Sequence, residues 1–68
     1  MLTENMKIWL KRLYLEAAEE HLVAASNERI WSLGSDTHEA AALHEANVNE
    51  HIALAEILKL MANNIKEN

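Results

Sequence analysis

The stretch Trp31-Ser32-Leu33-Gly34-Ser35-Asp36-Thr37-His38-Glu39 decides how this chain folds, because Gly34-Ser35-Asp36 is the only strong punctuation in 68 residues that hold one glycine and no proline. Gly34 is the residue best suited to the left-handed conformation just past a helix end. Asp36 followed by Glu39 has the spacing of a capping box, in which each side chain accepts a backbone N–H left unpaired by the first turn of a second helix. At the other end, Thr3 ahead of Glu4 reads as the N-cap of the first helix. The expected elements are therefore helices over about 3–33 and 36–66, each about 45 Å long at 1.5 Å per residue. A connection of two or three residues permits only an antiparallel hairpin. The fold class is all-α, with residues 1–68 forming one helical-hairpin domain.

The composition sharpens the problem that such a hairpin must solve. Half of the residues are apolar and a quarter are charged, with no cysteine. A chain of this size buries only about 60% of the surface its unfolded form exposes. Without disulfide or zinc staples, stability has to come from packing or from a partner chain. The absence of cysteine, and the interruption of the N-terminal apolar run by Glu4 and Lys7, lead to the expectation of a cytoplasmic protein. Uncharged stretches fall well short of the roughly 20 residues that a membrane span needs. A net charge of −5 makes the chain as a whole repel nucleic acid.

Each helix carries two apolar faces. Leu2, Met6, Trp9, Leu13, Ala17, Ala24 and Trp31 fall in one arc of helix one, the stripe expected to face helix two. Ile8, Leu15 and Leu22 recur every seven residues on nearly the opposite side, continued by Leu33. Helix two places Ala40, His44, Asn47, His51, Leu54, Leu58, Met61 and Ile65 on one face, and Ala46, Ala53, Ile57 and Leu60 on another. A lone hairpin covers one face per helix, so the second set, with Ile8, Leu15, Leu22, Ile57 and Leu60 as the interaction surface, implies self-association into a four-helix or larger bundle. Eleven alanines favour close approach of the helices.

Charge is segregated along the hairpin. Lys7, Lys11, Arg12, Lys59 and Lys66 face Glu4, Glu56 and Glu67 at the open end, a balance of +2. The remainder has Arg29 against eight acidic residues, a balance of −7, and holds all four histidines. This polarity favours antiparallel association of hairpins. It also leaves a basic and aromatic corner of Trp9, Lys11, Arg12, Tyr14 and Lys59, where rings stack and cations hold a phosphate unless Trp9 is core.

Both helices interrupt their stripes with polar residues at matching heights. For a turn at 34–35, residues whose numbers total about 69 lie side by side, which sets Glu20 beside His51 and Asn27 beside His44. Polar groups inside a bundle must be paired. A Glu16, Glu20, Asn27, His44, Asn47 and His51 layer has three readings: a device that fixes register, a pocket for a small ligand near Trp31, or a divalent metal site built on Glu20 and His51 and doubled across a dimer. Ala18, Ser35, Ala41 and Val48 occupy the positions three before each histidine, so the Glu-x-x-His signature of di-iron bundles is missing.

Catalysis has little support in these residues. Ser26, Ser32 and Ser35 have no neighbouring base at a defined spacing, and one glycine cannot make a phosphate loop. The Glu16-x-x-Glu19 spacing is similar to that of helical magnesium-dependent nucleotide hydrolases, which need a second acidic pair where Glu45 and Asn49 stand here. The reading is a non-enzymatic interaction protein that needs no cofactor and whose first partner is itself. Its size and simplicity fit an accessory factor of the kind phages and mobile elements encode, docking on a larger protein or sequestering a small ligand.

Overall fold

A computed structural model describes residues 1–66 as two helices, α1 over Glu4–Leu33 and α2 over His38–Asn63, packed against each other. The body measures 51 × 13 × 13 Å. The hairpin expected from the sequence is present, and Glu67, counted above at the open end, lies outside the described residues. Thr3 caps α1 as anticipated, its hydroxyl accepting from the Met6 N–H at 3.1 Å.

The turn differs from expectation in two respects. Thr37, not Asp36, caps α2, accepting from the Ala40 N–H at 3.0 Å while its backbone is extended. Gly34 is not left-handed: its φ is −92° and its ψ is 5°, and its N–H donates to the Ile30 carbonyl. A Cβ added there meets only ordinary contacts, with Ile30 O at 3.7 Å, so the glycine is not required by its backbone angles. Ser35 continues the closure, its Oγ donating to the Trp31 carbonyl at 2.6 Å. Moving the cap one residue on lengthens the connection and shifts the register. Cross-helix partners total 72 or 73 instead of about 69: His21 with His51, Glu28 with His44, and Ser32 with Ala41.

The register shift goes with a different choice of face. On α1 the inward positions are Lys7, Lys11, Tyr14, Ala18, His21, Ala25, Glu28 and Ser32; on α2 they are Ala41, His44, Val48, His51, Ala55, Leu58, Ala62 and Ile65. Both sets alternate steps of three and four, the seam of an antiparallel coiled coil. Beyond Lys11, every seventh position of this seam is small: Ala18, Ala25 and Ser32 on one side, Ala41, Val48, Ala55 and Ala62 on the other. The buried residues are Ala18, Ala25, Val48, Ala55 and Ala62, so nothing larger than valine is buried among the described residues.

The large apolar stripe assigned above to the helix interface instead faces outward. Trp9 is 71% exposed, Leu13 56%, Met6 51% and Trp31 55%, while Leu2 is exposed as well and only Ala17 and Ala24 are half-buried. Alanine carries little hydrophobic weight, so a reading by apolar periodicity favours tryptophan and leucine. Close approach of two backbones favours the opposite, because bulky knobs would hold the helices apart.

The seam makes a direct stability claim. Ala25→Leu overfills a position that admits only a methyl, which costs about 1–3 kcal/mol. Melting followed by circular dichroism at fixed chain concentration is expected to show a Tm lower by about 5 °C or more. An unchanged Tm contradicts a close-packed seam at Ala25.

Candidate functional site

The polar interruption of the seam is real, but its members are displaced from those read in the sequence. Glu20 and Asn27 are exposed and do not meet the histidines. His51 pairs instead with His21, Nδ1 to Nδ1 at 2.9 Å with the ring centroids 5.2 Å apart, and His44 pairs with Glu28 at 2.5 Å. Both α1 residues come one position after those expected, as the longer turn requires. None of the described polar residues is fully buried; His21, Glu28, His44, Asn47 and His51 are half-buried along the seam.

Two polar layers follow from this register, with Ala25 and Val48 between them. In the layer nearer the turn, Glu28 accepts from His44 Nδ1 when that nitrogen carries its proton, and the Trp31 indole lies against the same imidazole with centroids 5.9 Å apart. A carboxylate fixing the tautomer of a ring that an indole also holds makes a rigid group. Two turns farther from the loop, His21 and His51 share a hydrogen bond that requires one Nδ1 to donate and the other to accept. At least one of these rings is therefore neutral. Ser32 closes the turn end of the seam, its Oγ donating to the Ala41 carbonyl at 3.0 Å.

The six-residue pocket expected around this layer is not assembled. Glu16 and Glu20 line an outer groove with Glu19 and Val23, away from the seam that holds His44, Asn47 and His51. The metal pair of Glu20 and His51 is likewise not formed, because the register sets His21 at His51. Among the described residues no three metal-ligating side chains converge within one hairpin. His21, Glu28 and Ser32 are the members that sequence reading missed. The available signal was their spacing: His21 and Glu28 are seven apart, as are His44 and His51, so the two helices carry matching pairs.

The other proposed surfaces are divided by the fold. Ile8, Leu15 and Leu22 are exposed on one flank of the seam, whereas Ile57 lies on the opposite flank and Leu60 on the outer edge of α2, so the five do not form one patch. In the basic corner, Trp9 and Arg12 share a surface groove with Leu13. Tyr14 and Lys11 are half-buried seam positions, and Lys59 is exposed on the flank of α2 shared with Ile52. No family model, curated protein or solved structure matches this chain.

The observed pairing separates two glutamates that the sequence alone does not. Glu28→Ala leaves the half-buried His44 without its acceptor and is expected to cost about 1 kcal/mol. Glu20→Ala removes a solvated side chain and is expected to change stability by less than about 0.5 kcal/mol. Urea titrations of the two variants test this order; a larger loss for Glu20→Ala contradicts the register.

Proposed function

We propose that the chain is a self-associating, non-enzymatic interaction protein whose working form is an antiparallel bundle of hairpins. The observation that carries this reading is the inversion of its core: valine is the largest buried residue, while leucines, isoleucines and tryptophans stand outside. Five small side chains give a single hairpin little apolar burial to set against the entropy of ordering two helices. A second copy supplies what is missing.

One flank of the seam has the chemistry for that contact. Met6, Leu10 and Leu13 of α1 lie on the same side as Leu54, Ile57 and Met61 of α2, in the half of the hairpin near the chain termini. In the other half the same flank carries Ala24 and Ala40 with Asn27 and Asn47, and the larger Trp31 and Leu43 nearer the turn. Antiparallel docking of two copies sets the apolar cluster near the termini of each against the half of the other that carries Ala24, Ala40, Asn27 and Asn47. It also sets the +2 open end of one hairpin against the acidic body of its partner, so charge favours this arrangement.

Binding in place of turnover is supported by what the hydroxyls do. Ser32 and Ser35 donate to backbone carbonyls within the fold, an arrangement that stabilises the turn and does not activate a nucleophile. No described helix is long and apolar enough to cross a membrane. The bundle leaves the opposite flank, with Ile8, Leu15 and Leu22, for a larger protein partner, consistent with an accessory role.

Sedimentation equilibrium tests the reading. The wild-type chain is expected to sediment as a dimer or larger at micromolar concentration, with a Tm that rises with chain concentration. Leu13→Glu together with Ile57→Glu buries two carboxylates in the proposed contact and is expected to give monomers. A wild-type chain that stays monomeric and stably folded at high micromolar concentration overturns the proposal.

A further inference from the structure

The His21–His51 pair is the feature of the seam that packing does not account for. The neighbouring small positions are alanine and valine, and a pair of leucines would bury more apolar surface at no polar cost. Two imidazoles from different helices instead hold their Nδ1 atoms 2.9 Å apart, on half-buried side chains. Nitrogens that ligate one tetrahedral zinc, at bonds of 2.0–2.1 Å, stand about 3.3 Å apart. The pair is thus within a few tenths of an ångström of the separation that chelation needs, and small rotations of the two rings aim both lone pairs at one point. The ring that donates Nδ1–H in the hydrogen bond carries its proton on Nε2 when it ligates, so both imidazoles bind in their neutral form.

We propose that His21 and His51 form a two-imidazole clip for a borderline divalent ion of the zinc, nickel and copper class, completed by the same pair from a second copy. Imidazole is a preferred ligand of these ions. The completion rests on the antiparallel association proposed above. Its geometric basis is height: position 21 lies close to the middle of α1, which spans Glu4–Leu33. A two-fold axis at the height of His21 and His51, about 4 Å from that midpoint, brings two such pairs to one level, and four imidazoles make a closed tetrahedral set. Within the hairpin the Glu28–His44 layer does not compete, because His44 is held by Glu28 and lies against Trp31.

Calorimetric titration of the full chain with zinc chloride tests the site, alongside sedimentation in excess chelator. The expected result is saturable binding at one zinc per two chains, with the ion raising Tm. His21→Leu with His51→Leu is expected to weaken binding by about 100-fold or more and abolish the Tm shift. That variant fills the seam with apolar side chains, so it is expected to remain helical, and it separates lost ligation from lost folding. His38→Ala, outside the seam, is expected to bind within about twofold of wild type. Binding that fails to saturate, or that survives in the double leucine variant, overturns the clip. One zinc per chain overturns its completion by a second copy. A dimer in chelator that binds no zinc refutes the metal site alone, whereas a monomer in chelator that zinc dimerises supports the site and refutes association through the apolar flank alone.

Discussion

Close approach of two helix backbones is the constraint on which the rest of this structure depends. A seam with alanine, serine or valine at every seventh position from Ala18 onward on α1 and along α2 lets the two helices pack with little between them. The contacts are dispersion between methyl groups and backbone, small per atom and dependent on a tight fit. A tight seam of small residues excludes large ones from the interior. The consequence is a slender rod 51 Å long with its bulky apolar side chains on the outside.

That exclusion links fold to function. A protein whose leucines are inside has finished burying its apolar surface when it folds; this chain has not. Its exposed large side chains include an apolar cluster on one flank near the chain termini, and its charge is divided along the same axis. The histidines and the glutamate of the seam are matched partners, His21 with His51 and Glu28 with His44. Each pair satisfies its hydrogen-bonding needs across the seam, and mismatched registers would leave such groups unpaired, so these layers also hold the two helices in one alignment.

The hairpin itself was legible in the sequence because its signals are local. Thr3 before a helical run and a Gly-Ser-Asp break act through backbone hydrogen bonds that depend on few neighbours. The choice of cap between Asp36 and Thr37 was not, because both residue types serve and the winner depends on how the turn closes. That one-residue choice propagates: it changes the register and replaces Glu20 and Asn27 with His21 and Glu28 opposite the α2 histidines. The packing face was misread for a different reason. Helix one has apolar residues on nearly every side, so periodicity alone does not single out a face. The spacing of its small residues does. Ala18, Ala25 and Ser32 at sevens, answered by Ala41, Val48, Ala55 and Ala62, mark where the backbones approach.

The register of the small-residue seam is tested most directly by disulfide formation between cysteines placed in pairs. Ala25→Cys with Val48→Cys joins positions that total 73, on the observed seam; Ala24→Cys with Glu45→Cys joins positions that total 69, the alignment a shorter turn would have set. The first pair is expected to oxidise rapidly within one chain, read by mass spectrometry under dilute conditions, and the second is expected not to close. Closure of the second pair without the first would contradict the seam, and with it the outward placement of the apolar surface.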